Sequence, residues 1–75
     1  MKFIELSEIY YHNGGYRTKP LLCNVDEIAN VTEDYSGYVS FTSVRMKNGK
    51  SYAVKEKYKD VINMIVKKEC GGVEE

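Results

Sequence analysis

The chain has no tryptophan, one proline, one histidine and two cysteines, and its positive and negative charges cancel. Each shortage removes a class of function. Nucleophilic catalysis needs a base beside the nucleophile and a third group to orient that base; His12, next to Asn13-Gly14-Gly15, is the only histidine and has no visible orienting partner. Zinc sites take three or four Cys, His or carboxylate ligands, and His12, Cys23 and Cys70 follow none of the usual ligand spacings. The two cysteines also lack the paired spacing of a disulfide framework, so both are read as free thiols. Gly14-Gly15 is too short for a phosphate-cradling loop. Asp26-Glu27 and Glu33-Asp34 are adjacent pairs, which on extended backbone point to opposite faces instead of one reacting bond. No catalytic residue, metal or cofactor is therefore expected, and the chain is read as a non-enzyme.

Other absences bear on location and partners. No apolar run approaches the roughly 20 residues that a bilayer requires. Lys2 and Glu5 place charge where a signal peptide would begin its apolar region, so a cytoplasmic protein without membrane contact is expected. Zero net charge argues against a dedicated histone-like binder of nucleic acid or a polybasic membrane module.

What is present is clearest near the C-terminus. Asn48-Gly49 lies between alternating residues, the strongest short-range sign of a β-hairpin. A two-residue turn would set Arg45 across from Tyr52 and leave Val44 and Met46 on the wrong face. A three-residue loop, Lys47-Asn48-Gly49 with Gly49 left-handed, sets Val44 across from Tyr52 and Thr42 across from Val54, giving one apolar face. Burial should select this register, because a one-residue slip moves every side chain to the other side. Tyr58, Val61, Ile62, Ile65 and Val66 then follow the i, i+3, i+4, i+7, i+8 spacing of a helical stripe, with Lys67 and Lys68 in the last turn and Gly71 as a stop. Lys57 stands where a capping Ser, Thr, Asp or Asn would be expected.

Upstream, Phe3 to Tyr11 reads as a first strand broken by His12 to Gly15, with Tyr16 to Lys19 continuing the loop. Pro20 cannot donate to a ladder and belongs at a strand start or on an edge. Leu21 to Val25 is the second strand, Asp26-Glu27-Ile28 a tight corner, Ala29 to Glu33 a short strand, and Asp34 to Gly37 a turn. In Tyr38 to Lys47 the apolar phase changes between Phe41 and Val44, which calls for a bulge or bend near Thr42 or Ser43. The expected fold is α+β: a small curved antiparallel sheet or partial barrel of four to five strands, closed by one C-terminal helix. Residues 1–70 form the single domain and 71–75 a disordered tail. A core this small gains from self-association, so a homo-oligomer formed through a sheet edge is expected.

Seven tyrosines are the compositional excess. Tyr52 and Tyr58 face the core, whereas Tyr10, Tyr11, Tyr16, Tyr35 and Tyr38 gather around two loops. Tyrosine gains contact area at small entropic cost and is enriched at interfaces, so Tyr11, His12, Tyr16 and Arg17 are the candidate partner-binding residues for another protein. The alternative is a nucleic-acid surface on the basic hairpin residues Arg45, Lys47 and Lys50, with tyrosines stacking on unpaired bases. Capture of a small anionic ligand between protomers is a third possibility.

Val25-Asp26-Glu27-Ile28-Ala29-Asn30-Val31, then Asn48-Gly49-Lys50-Ser51-Tyr52-Ala53-Val54-Lys55-Glu56 and Val61, resemble the small FlbD-type proteins. The opening Met-Lys-Phe-Ile-Glu-Leu is similar to short proteins of phages and mobile elements. This resemblance spans residues 20 to 66 and implies a β-rich fold with a terminal helix, a phage-encoded source and a regulatory or accessory role without enzymatic activity. The glycine hairpin before a helix also resembles LytTR-type DNA-binding domains, whose basic loop residues would correspond to Arg45, Lys47 and Lys50. The chain departs from the first pattern at Lys57 and in the long connection from Tyr35 to Thr42.

Overall fold

A computed structural model describes residues 2–37 and 39–69, except for the side chains of Ser36 and Val39. Tyr38, Cys70, Gly71 and the tail expected over 71–75 lie outside the described residues. The elements are β1 (Phe3–His12), β2 (Gly15–Asn24), a 3₁₀ turn (Val25–Glu27), β3 (Ile28–Ser36), β4 (Val39–Met46), β5 (Ser51–Val54) and α1 (Tyr58–Glu69). All strand pairings are antiparallel, in the order β2-β1-β5-β4-β3, and the sheet is open. The fold is thus α+β, one five-stranded antiparallel sheet carrying one C-terminal helix.

Chain connectivity forces the sheet to coil. β2 and β3 are the two outermost strands, yet only Val25–Glu27 join them. Four interstrand steps in a flat sheet span about 19 Å. The link can reach about 14 Å when fully extended and far less in a 3₁₀ turn. The edges must therefore curl toward each other. Asn24 starts the turn by accepting a hydrogen bond from the Asp26 N–H on its side-chain oxygen (3.0 Å). At its two ends the Val25 N–H donates to the Lys2 carbonyl (2.8 Å), and the Glu27 carbonyl accepts from the Lys47 N–H (2.8 Å).

Inside the curl, alternate strand residues form the core: Ile4, Leu6, Cys23, Val44 and Val54 are buried with Val25 of the 3₁₀ turn and Val61 of the helix. The β4–β5 hairpin has the bulged register that burial favours, Val44 opposite Tyr52 and Thr42 opposite Val54, with Gly49 at φ 93°. Helix α1 presents a narrower stripe than its spacing predicts. Val61 is buried, and Ile62, Met64 and Ile65 are half-buried, but Tyr58 and Val66 are 39% and 52% exposed. A twelve-residue helix lying over a curled sheet touches it through its middle turns, so both ends of the stripe lift off.

Two further expectations are corrected. Tyr16 to Lys19 is not loop: Asn13 (φ 50°) and Gly14 (φ 80°) make a two-residue turn, and β1 and β2 pair along ten residues each, from Phe3–Asn24 to His12–Gly15. Nor does β4 carry a bulge near Thr42 or Ser43, since its pairing with β3 and β5 runs through both without a shift. The irregularity lies in β3, between Ile28 and Asn30. Phe41 is out of phase with Val44 because it sits on the other face of the sheet, where it has apolar company of its own. β3 is also longer than expected and takes up Asp34 to Ser36. Pro20 falls on β2, an edge strand, as its missing N–H requires.

Candidate binding cleft

Beyond Glu8 the β1–β2 hairpin leaves the sheet. The bridge between β1 and β5 is Glu8–Val54, supported by the Lys55 N–H donating to the Ser7 carbonyl (2.8 Å). Ile9 to His12 and Gly15 to Thr18 continue as a two-stranded arm. Between the arm and the body lies a cleft of about 520 Å³. The arm contributes Ile9, Tyr10, Tyr11, Tyr16, Arg17 and Thr18; the body contributes Phe41, Ala53 and Lys55.

Strand alternation explains the apolar wall. Ile4 and Leu6 point into the core, so Ile9 and Tyr11, at odd positions, face the other way. Across the ladder Tyr11 opposes Tyr16, and their rings meet edge-on at 5.3 Å between centroids. Both remain open to solvent, 65% and 70% exposed. On the arm's other side Tyr10 opposes Arg17; the Lys19 ammonium lies 5.2 Å from the Tyr10 ring centroid, within cation–π range. His12 stands 6.4 Å from Tyr10 and shares a 3.1 Å hydrogen bond with the Asn13 amide.

The four candidate partner-binding residues are therefore brought onto one arm but not onto one face. Tyr11 and Tyr16 share the face that carries Ile9; Arg17 and His12 belong to the face of Tyr10, and of these two Arg17 reaches the cleft wall while His12 does not. Ile9 and Phe41 escaped sequence reasoning. Ile9 could have been found from its period-two relation to Tyr11, and Phe41 from the phase change in its strand. Arg45, Lys47 and Lys50 are exposed at and beside the β4–β5 turn and do not line the cleft. Lys50 is held there by its N–H donating to the Asn48 side-chain oxygen (2.9 Å).

Among the described residues that line the cleft the charges are Arg17 and Lys55, both cationic, with no carboxylate, imidazole or thiol. A second cavity, at the start of α1, mixes Glu33, Glu56 and Asp60 with Lys55, Lys57 and Lys59 and has no such bias. A part-buried clamp adjoins this second cavity, which Thr42 and Glu56 both line. The Thr42 hydroxyl donates to the Glu56 carbonyl (2.7 Å), and the Glu56 carboxylate accepts the Ser7 N–H (2.9 Å), tying β4, the β5–α1 connection and β1 together. Cys23, on the buried face of β2, has its thiol pKa raised by burial and then by the negative charge of Glu8.

Among the described residues no group of three or more His, Cys, Asp or Glu is placed to hold a metal ion, and no helix is long and apolar enough to cross a membrane. No family model matches the chain, and it has no match among curated proteins or solved structures.

Proposed function

We propose that this chain is a small cytoplasmic, non-enzymatic interaction module that binds another protein through the cleft between its hairpin arm and its body. The observation carrying this reading is the exposed Tyr11–Tyr16 pair sharing one cleft with Ile9 and Phe41. Contiguous apolar surface that a chain leaves uncovered, with polar groups at its rim, is characteristic of a contact site. Tyrosine supplies both the apolar ring and a hydroxyl for the rim. The regulatory or accessory role follows from the resemblance to FlbD-type proteins. Self-association is part of the reading: β3 is an edge strand without proline.

Replacing Tyr11 and Tyr16 together with alanine tests the surface. Far-UV circular dichroism should be unchanged, because both rings are exposed, while capture of the partner from host lysate should be lost. Unchanged capture rejects the cleft as the contact surface.

One observation favours a second reading, retention of a small anionic ligand, because Arg17 and Lys55 are the only charges in the wall. Native mass spectrometry of the purified protein would display a retained ligand. The nucleic-acid reading has less support, since Arg45, Lys47 and Lys50 do not share the cleft with the tyrosines. Absence of a mobility shift at low salt eliminates it.

A further inference from the structure

We infer that the occupant of the cleft is an extended, acidic segment of the partner, added to the arm as a third strand. This inference rests on the protein-binding reading of the cleft and names the chemistry of what binds.

The backbone makes the first half of the argument. Asn13 and Gly14, at φ 50° and 80°, form a type I′ turn, in which the flanking residues His12 and Gly15 exchange hydrogen bonds. Bonding then alternates along the ladder, so Tyr10 and Glu8 also bond toward β2, while Ser7, Ile9 and Tyr11 turn their N–H and C=O groups the other way. Ser7 agrees with this parity: its carbonyl accepts from Lys55 and its N–H donates to Glu56. Past the single Glu8–Val54 bridge, the Tyr11 N–H and C=O face the cleft side with no strand of β5 paired to them. The arm's outer edge is different. By the same parity Pro20, opposite Ser7 at the base of the arm, directs its ring nitrogen outward, so a strand added along Tyr16 and Thr18 could not run on down β2. The edge along Tyr11 meets no such stop and faces β5 across the cleft. A two-stranded hairpin is marginal in water, and a third strand stabilises it.

Charge makes the second half. An added strand sends alternate side chains to each side, one set over Ile9, Tyr11 and Phe41 and the other to solvent. Apolar residues suit the first set, and carboxylates within reach of Arg17 and Lys55 meet two cations with no competing acid in the wall. A compact anion would answer the two cations and leave the Tyr11 edge bare. An oligonucleotide would bring charge and stacking but no amides for the ladder.

The test sorts a yeast-displayed library of short random peptides against the 75-residue chain. Enriched peptides should be net negative and carry an aliphatic or aromatic residue. Tyr11→Ala should weaken their binding about tenfold or more, as for a buried aromatic anchor. Arg17→Glu, an exposed and structurally mild change, should turn the selection toward neutral or basic peptides. N-methylation of alternate amides in the best peptide should abolish binding on one of the two parities, and bound peptide should slow hydrogen exchange at the Tyr11 amide. Enrichment of neutral or basic peptides by the unmodified chain, tolerance of N-methylation on both parities, no enrichment, or tighter binding of adenosine monophosphate or oligothymidylate would each overturn the inference. If host-lysate capture still depends on Tyr11 and Tyr16 while the library fails, strand addition falls and the protein-binding reading survives. If both fail, both fall.

Discussion

Replacing Thr42 with valine removes one hydrogen bond from the clamp that joins Thr42, Glu56 and Ser7 and little else. Thr42 is 1% exposed, and its hydroxyl donates to the Glu56 carbonyl at 2.7 Å. Valine has nearly the same shape, so no cavity opens and no backbone needs to move, but the part-buried Glu56 carbonyl loses its donor. Leaving a partly buried acceptor unpaired costs about 1–2 kcal/mol. For a domain of this size each kcal/mol lowers Tm by about 4–8 °C, so a drop of about 5–15 °C is expected. Thr42→Ser is the control: it keeps the donor and removes one buried methyl, at a cost of about 0.8 kcal/mol. Urea unfolding followed by circular dichroism compares the three proteins, since the chain has no tryptophan to report. The order should be Thr, then Ser, then Val. A valine variant as stable as the parent, or more stable than the serine variant, would refute the clamp. Because Phe41 and Lys55 adjoin the clamped residues, Thr42→Val should also weaken partner capture without abolishing it.

Leu6→Ala empties a fully buried position in the core and should cost about 2–5 kcal/mol; that approaches the whole stability of a small domain, and equilibrium denaturation should find little folded protein. Gly49→Ala meets no atom within 4 Å, so its penalty is conformational. A left-handed alanine costs about 1–2 kcal/mol, partly offset through the unfolded chain, and the net loss should be about 1 kcal/mol by the same unfolding assay. The raised pKa of the Cys23 thiol gives a signed pH effect. Its contribution is full below the unfolded thiol pKa and falls away as pH rises from there through the folded value, because the unfolded chain ionises first; unfolding titrations should show parent stability declining more steeply above about pH 8.5 than that of Cys23→Ala. Native-state labelling of Cys23 by a thiol reagent, followed in Cys70→Ser, should accordingly be slow and accelerate in denaturant.

Legibility in the sequence followed burial. The β4–β5 hairpin could be read to the residue because one of its faces is dry, so the apolar pattern selected a single register. The α1 stripe was legible in direction, but its ends were not, since spacing alone does not say how far a curled sheet extends beneath a helix. The arm was missed for the converse reason. Tyr16-Arg17-Thr18-Lys19 has no core face, and its strand character rests on a turn, Asn13-Gly14, whose flanks show no apolar alternation. The phase change at Phe41 reads as a bend when only one face of the sheet is taken to be apolar, and as a plain strand once both faces carry apolar residues. The tyrosines at 11 and 16 and Arg17 emerged from composition; Ile9 and Phe41, which complete the cleft, needed the fold to bring distant strands together.

The three-residue link from β2 to β3 acts as a drawstring on the rest of the fold. Slackening it with a few inserted glycines and serines would leave each strand its partners while letting the outermost pair drift apart and the curl relax. The gap beside Phe41 would change width with it, so the length of a distant and chemically plain corner tunes how large a visitor the tyrosines can hold.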